Sequence, residues 1–186
     1  MSHWKVLKSE ELFKAGLFKI RVDQCEMPDG RIMPRYYTFE FPDWVNIVPV
    51  TKNNELVLIK QYRHSAEQVF LEIPGGSTNA NEASSLRSAA ERELVEETGY
   101  KASEWVECGS HFPNPAMQNN RLHTFLALNC ELVSAPQLDP YEDLEVVLYP
   151  IKDIVSLLED GEFNHSLIAA SVSVCIPKLR ALKLIP

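Results

Sequence analysis

Short runs of β-branched and aromatic residues, broken by proline, glycine and asparagine, fill roughly the first sixty positions, which is the pattern of strands rather than helices. Residues 18–27 and 31–41 flank Pro28-Asp29-Gly30, and residues 44–51 and 55–62 flank Lys52-Asn53-Asn54. Both connections suit antiparallel pairs. A shorter strand is expected over 69–73, stopped by Pro74-Gly75-Gly76. The period then changes. Residues 84–98, SSLRSAAERELVEET, hold neither proline nor glycine, and Leu86, Ala90 and Leu94 recur four apart. This predicts an amphipathic helix closed by Gly99. Three more strands are expected over 105–112, 121–133 and 145–149, separated by proline-bearing loops at 113–120 and 135–141. Two helices over 151–159 and 166–184 end the pattern, the second kinked or broken by Pro177.

Strands, an internal helix, more strands and terminal helices make an α+β fold, or a sheet sandwiched between helices. No repeat, low-complexity tract or composition shift marks a boundary. The strand-rich first forty residues or so can still pack apart and pair with another subunit. With 186 residues, of which 45% are hydrophobic and 24% charged, the chain can build a real core, and disorder is excluded as its main state. The 26 acidic against 18 basic residues give a net charge of −8 without a visible basic face, which argues against nucleic acid as a partner. No apolar run approaches the ~18 residues of a membrane span. The opening MSHWKVLKSEELFK carries charges where a signal peptide is apolar, so a cytoplasmic address is expected. Cys25, Cys108, Cys130 and Cys175 are far apart, with no CxxC, and are read as reduced core residues. The five histidines show no HxxxH or HExxH spacing, so no zinc site is expected.

The candidate chemistry lies in the internal helix. Glu93, Glu96 and Glu97 stand three and four apart, so a helix gathers their carboxylates on one surface. Like charges at these spacings repel by roughly 0.2–0.5 kcal/mol per pair. A cluster of hard oxygens suits Mg²⁺ or Mn²⁺; a solvated acidic face with an Arg92–Glu96 pair is the alternative. Context decides between them: Pro74-Gly75-Gly76 precedes the helix, Arg92 stands directly before Glu93, and Thr98-Gly99-Tyr100 follows Glu97. These residues resemble the signature of the Nudix hydrolases, Gx5Ex7REUxEExGU with U apolar. Arg92, Glu93, Leu94, Glu96, Glu97 and Gly99 match its second half position by position, with Tyr100 in the last apolar place. The first half departs from it. Gly76 and Glu82 satisfy Gx5E, but nine residues rather than seven separate Glu82 from Arg92. The favoured alignment puts Ser84 in the signature glutamate's place and lengthens the loop after Gly76 by two residues, where insertion costs little.

The resemblance extends through VNIVPVTKNNELVLIKQYR, LEIPGG, the Pro115 loop and YEDLEVVLYPIKDI. It is similar to the branch that hydrolyses ADP-ribose and related nucleoside diphosphate sugars. It implies a Nudix-type α/β/α sandwich with a mixed sheet over 43–186, following an N-terminal antiparallel region over 1–42 that dimerises. It also implies two or three Mg²⁺ ions, or Mn²⁺ in their place, held by Glu93, Glu96, Glu97 and the Gly76 carbonyl, with Arg92 orienting the glutamates. Arg63 would contact the substrate, as the guanidinium of a phosphate-binding arginine does. Trp44 or Tyr62 would stack on the base or pack in the core. Glu72 would hydrogen-bond a ribose hydroxyl or a water at the metals, or else be a plain strand-end charge. A glutamate of the 139–145 loop would complete the site, with Glu142 as base or water-positioning group and Glu145 as the fallback. Asn120 stands where an acid often precedes the Pro115-loop arginine, here Arg121. The activity implied is cleavage of ADP-ribose to AMP and ribose 5-phosphate; GDP-mannose or other nucleotide sugars, and a non-catalytic sensor of the same fold, are the alternatives.

Overall fold

A computed structural model describes residues 3–78 and 86–186. The chain divides into two compact units, Met1–Asp43 with His111–Arg121, and Trp44–Ser110 with Leu122–Pro186. In the first, β1 (Lys5–Lys14), β2 (Lys19–Glu26) and β3 (Ile32–Glu40) form an antiparallel sheet with β2 in the middle. The expected turn at Pro28-Asp29-Gly30 is closed by Met27 N–H to Arg31 O at 2.8 Å and Gly30 N–H to Met27 O at 2.9 Å. Asp23 is buried on β2, but Ser9 Oγ at 2.6 Å and Arg21 Nε at 3.1 Å satisfy its carboxylate. The Pro115 loop belongs to this unit, with Phe39 N–H bonded to Met117 O at 2.7 Å and Arg121 N–H to Asp43 Oδ1 at 2.8 Å. β1 was not singled out by the sequence reading. Every position on it is exposed, so it shows no buried-face alternation and is held by its ladder to β2.

The second unit is built on a mixed sheet in the order β11-β5-β4-β10-β8, with β6 on β5, β7 on β4 and β9 on β10. Its strands are β4 (Trp44–Thr51), β5 (Glu55–Arg63), β6 (Gln68–Glu72), β7 (Gly75–Ser77), β8 (Tyr100–Lys101), β9 (Glu104–His111), β10 (Leu122–Leu132) and β11 (Leu144–Pro150). β4 and β10 run parallel, while β5 is antiparallel to both β4 and β11. Strand alternation sends residues to two cores. Val45 and Ile47 of β4 and Phe125 and Ala127 of β10 meet Ala89, Ala90 and Leu94 of α1 (Leu86–Thr98). Val48, Val50, Leu126 and Leu128 meet Ile154 of α2 (Ile154–Glu159) and Ile168, Val172, Cys175 and Leu179 of α3 (Ser166–Ala181). The sheet therefore carries helices on both faces. Asn46 and Thr124 are polar and point to the α3 side, where both hydrogen-bond Ser171 Oγ at 3.0 Å; left unmade, such buried bonds would cost about 1–3 kcal/mol each.

Three local expectations are corrected. α3 is not broken at Pro177 but runs through it as one helix to Ala181. The proline removes a single N–H from the ladder, whereas Val172, Cys175 and Leu179 are buried on both sides of it and hold the two halves to the same core. The 151–159 helix begins with a 3-10 turn, so α2 starts only at Ile154. Gly75–Ser77, read as a strand stop, is itself a strand, pairing with Trp44–Asn46 of β4. All four cysteines are free, and Cys25, Cys130 and Cys175 are buried. No helix among the described residues is long and apolar enough to cross a membrane.

Candidate active site

The apolar stripe of α1 runs Ala90, Leu94 and then, three residues on, Glu97, so the packing that docks the helix also drives a carboxylate inward. Glu97 is 4% exposed. Its Oε2 accepts a hydrogen bond from the Gly75 N–H at 2.9 Å, and β7 is fixed for that purpose by its register on β4 and by Ile47 N–H to Pro74 O at 2.9 Å. The next residue on β7, Gly76, faces Glu93. A Cβ on Gly76 would lie 2.3 Å from Glu93 Oε1, so a side chain here would push this carboxylate out of its place. Arg92 donates from Nη2 to Glu93 Oε1 at 2.8 Å and from Nη1 to Glu96 Oε2 at 2.6 Å, and its Nη2 also reaches Ser77 O at 3.3 Å. Arg92 thus ties two glutamates to β7.

The charges conflict. Burial pushes the Glu97 carboxyl up to about 8; the Gly75 N–H opposes this, and the Glu93 and Glu142 charges add to it. Glu93 is also raised, by burial first, against the pull of Arg92, with Glu96 and Glu142 adding to the rise. Glu96 and Glu97 occupy the last turn of α1, where the helix dipole further disfavours negative charge. Glu142, in the loop before β11, acts on both of these acids, and its own carboxylate caps Asp139 N–H at 2.9 Å. Gln137 N–H bonds Glu96 O at 2.7 Å, anchoring this loop to the end of α1. Glu145 lies on β11 opposite Lys60 and is exposed.

Beside these acids, Trp44, Asn46, Arg63, Ile73, Gly75, Gly76, Ser77, Leu122, His165, Leu167 and Ile168 line a cavity of about 340 Å³, within the range of small-molecule sites. Arg63 ends β5 and donates to Glu72 from Nε at 3.1 Å and from Nη2 at 2.5 Å. Glu72 is 0% exposed. It is neither a strand-end surface charge nor open to a ribose hydroxyl, because Arg63 and His165 Nδ1, at 2.7 Å, take its oxygens. Burial would raise its pKa, yet the His165 and Arg63 hydrogen bonds, with the Arg63 charge, outweigh this and hold it below the usual carboxylate range. Tyr62 is half-exposed, packs near His64 and does not line the cavity. His165 and Asn46 were missed as site residues. Glu82 and Ser84, the two options for the missing signature glutamate, lie outside the described residues.

Among the described residues no three acidic, histidine or cysteine side chains converge at metal-binding geometry; Arg92 and the Gly75 N–H take up the carboxylate oxygens instead. The donor set nevertheless fits a hard divalent cation. Glu97, buried, and Glu93, half-buried, are both raised above their ordinary value beside a third acid, and Gly76 lets the backbone come close to the Glu93 carboxylate. Excess negative charge of this kind is relieved by a bound cation.

A model of the NUDIX domain matches residues 41–170, and a model of the nucleoside diphosphate sugar hydrolase N-terminal domain matches residues 4–38. The ADP-ribose pyrophosphatase of Mycobacterium tuberculosis is 30% identical over 171 residues, spanning 91% of this chain and 81% of that protein. The ADP-ribose pyrophosphatase of Bacillus subtilis is 28% identical over 159 residues, 85% of this chain and 84% of that one. The crystal structure of an ADP compounds hydrolase superposes with a TM-score of 0.85 over 98% of this chain and 97% of its own, at 24% identity, a likeness of fold.

Proposed function

The chain belongs to the Nudix family, and from that premise we propose that it is a divalent-cation-dependent pyrophosphohydrolase of nucleoside diphosphate sugars, with ADP-ribose, cleaved to AMP and ribose 5-phosphate, as its first substrate. The observation that carries this reading is the pair of glutamates, half-buried Glu93 and buried Glu97, both raised by burial behind a cavity wall made of Gly75 and Gly76. The names of the Mycobacterium tuberculosis and Bacillus subtilis relatives support the choice of ADP-ribose.

Glu93, Glu96, Glu97 and the Gly76 carbonyl would hold the cation, Mg²⁺ with Mn²⁺ as the substitute. When bound it neutralises the diphosphate and polarises the phosphorus. Arg92 holds Glu93 and Glu96 in position and does not touch substrate. Arg63 supplies a guanidinium to the diphosphate, and Trp44 offers a ring to the base. Glu142 takes a proton from the attacking water as oxygen bonds to phosphorus and the bridging P–O bond breaks, its electrons leaving with the departing phosphate. The loop that carries Glu142 is tied at Gln137 to α1, so its approach is set by the same helix that carries the other acids.

The protein acts as a homodimer in this reading. β1 exposes Val6, Leu7, Leu12 and Phe13 along a sheet edge, and an exposed apolar edge strand is a pairing template. Four free thiols suit a reducing compartment, the cytoplasm. The test is an assay of ADP-ribose, ADP-glucose, GDP-mannose and dinucleoside polyphosphates with Mg²⁺, Mn²⁺ or EDTA, resolving the products by chromatography. AMP and ribose 5-phosphate formed only with cation are expected. Tight nucleotide-sugar binding without turnover would replace the enzyme with a sensor, and preferential turnover of GDP-mannose would reassign the substrate.

A further inference from the structure

His165 stands just before α3 and contributes to the cavity wall with a side chain one-third exposed. Its Nδ1 lies 2.7 Å from Glu72 Oε1. Glu72 is an ionised carboxylate sealed from solvent, with Nε and Nη2 of Arg63 already donating to it. An ionised carboxylate only accepts, so the hydrogen between the two belongs to the ring and Nδ1–H is the donor. In a neutral imidazole this leaves Nε2 as an acceptor, directed away from Glu72 by the shape of the ring. His165 Nε2 has no hydrogen-bond partner among the described residues. Phe70 lies against the ring edge-on at 6.1 Å, which fixes the ring plane without using its nitrogens. One carboxylate thus orients two cavity groups at once, the Arg63 guanidinium and the His165 ring.

We propose that His165 is a ligand-contacting, specificity-determining residue: with Nδ1–H held by Glu72, its Nε2 accepts a hydrogen bond from a donor on the bound nucleotide sugar, a ribose hydroxyl or a base amino group. This rests on the reading of the cavity as a nucleotide-sugar site. Arg63 and His165 then divide the recognition, since a guanidinium has only donors to give and takes the anionic part of the ligand, whereas the imidazole acceptor requires a donor on its neutral part. Glu72 acts through both as a positioning residue.

The test uses the full chain. Side-chain ¹⁵N resonances, with His165 assigned by its loss in His165→Asn, should show the Nδ1–H tautomer, and addition of AMP or ribose 5-phosphate should shift the Nε2 signal. Kinetics then separate contact from support. Asparagine sets an amide N–H near the place of Nδ1 and keeps the bond to Glu72 while removing the cavity acceptor; His165→Gln does the reverse. His165→Asn should lower kcat/KM for ADP-ribose about five- to ten-fold, mostly through KM and with unchanged melting temperature, as expected for one neutral hydrogen bond. Whichever substrate analogue lacks the donor, 2′-deoxyribose or hypoxanthine in place of adenine, should be cleaved equally by wild type and His165→Asn. An Nε2–H tautomer overturns the proposal, as does an Nε2 signal unmoved by either ligand, or a His165→Asn enzyme equal to wild type while His165→Gln fails. If the wild type cleaves no nucleotide sugar, the functional reading fails on its own, and the Nε2 response to AMP still decides the role of His165.

Discussion

Replacing Glu97 with glutamine separates the cost of the site from its use. The amide keeps an oxygen for the Gly75 N–H, which Glu97 accepts at 2.9 Å, and removes the buried charge. In cation-free protein the Glu97 carboxyl titrates at about 8 against an ordinary 4.5. The folded state therefore holds this proton while the unfolded chain has lost it. Below pH 4.5 the acid imposes no penalty; as pH rises from 4.5 through 8, stability falls by about 1.4 kcal/mol per pH unit, reaching at most about 5 kcal/mol. Glu97→Gln should abolish this slope. Urea unfolding in EDTA at pH 5, 7 and 9 is the assay: the variant should match wild type at pH 5 and exceed it by several kcal/mol at pH 9. Its kcat with Mg²⁺ should fall on the order of 10²-fold or more, the scale of losing an essential electrostatic group. Adding Mg²⁺ should stabilise wild type most at high pH and stabilise the variant much less. A variant that loses stability and activity together at every pH would refute the argument and make Glu97 a structural residue.

Three further outcomes are expected. Gly76→Ala sets a methyl where Glu93 Oε1 is only 2.3 Å away, so kcat should drop on the order of 10²-fold, as misplacement of a catalytic group does, with little change in melting temperature; normal turnover would dismiss the cradle. Glu142→Gln should lower kcat by about 10²- to 10⁴-fold at saturating Mg²⁺ while Glu145→Gln stays near wild type. The reverse result would make Glu145 the base, and two normal rates would return that role to Glu93, Glu96 or Glu97. Sedimentation at micromolar protein should give twice the 21.1 kDa chain mass, and a monomer would refute the pairing role of β1.

What could be read from the sequence follows how local each feature is. The stripe of Leu86, Ala90 and Leu94 identified α1, and extending it by three residues reaches Glu97, so burial of that carboxylate was legible in the period itself. The wall opposite was not. Gly75-Gly76 carries the punctuation of a turn, and only its pairing with Trp44–Asn46 makes it a strand. β1 was not delimited as a strand of its own because nothing on it is buried. At Pro177 a correct local rule met a stronger tertiary one, the burial of Val172, Cys175 and Leu179 around it. His165 lies 93 residues from Glu72, and no spacing rule links them.

The two most deeply buried glutamates show how the same side chain is put to opposite uses. Glu72, with no exposed surface, has Arg63 and His165 as partners and sits below the usual carboxylate range despite its burial. Glu97, nearly as buried, has one backbone N–H and two acidic neighbours, and is pushed up to about 8. Folding tolerates the first because its charge is matched inside the protein. The second has no matching positive charge, and by pH 8 this costs several kcal/mol in a fold whose net stability is only about 5–15 kcal/mol. A single glutamine would relieve it, so its retention points to a ligand that supplies the missing positive charge. On the proposed reading the molecule builds a balanced carboxylate on one side of the cavity to aim its own side chains, and an unbalanced one on the other to receive a cation.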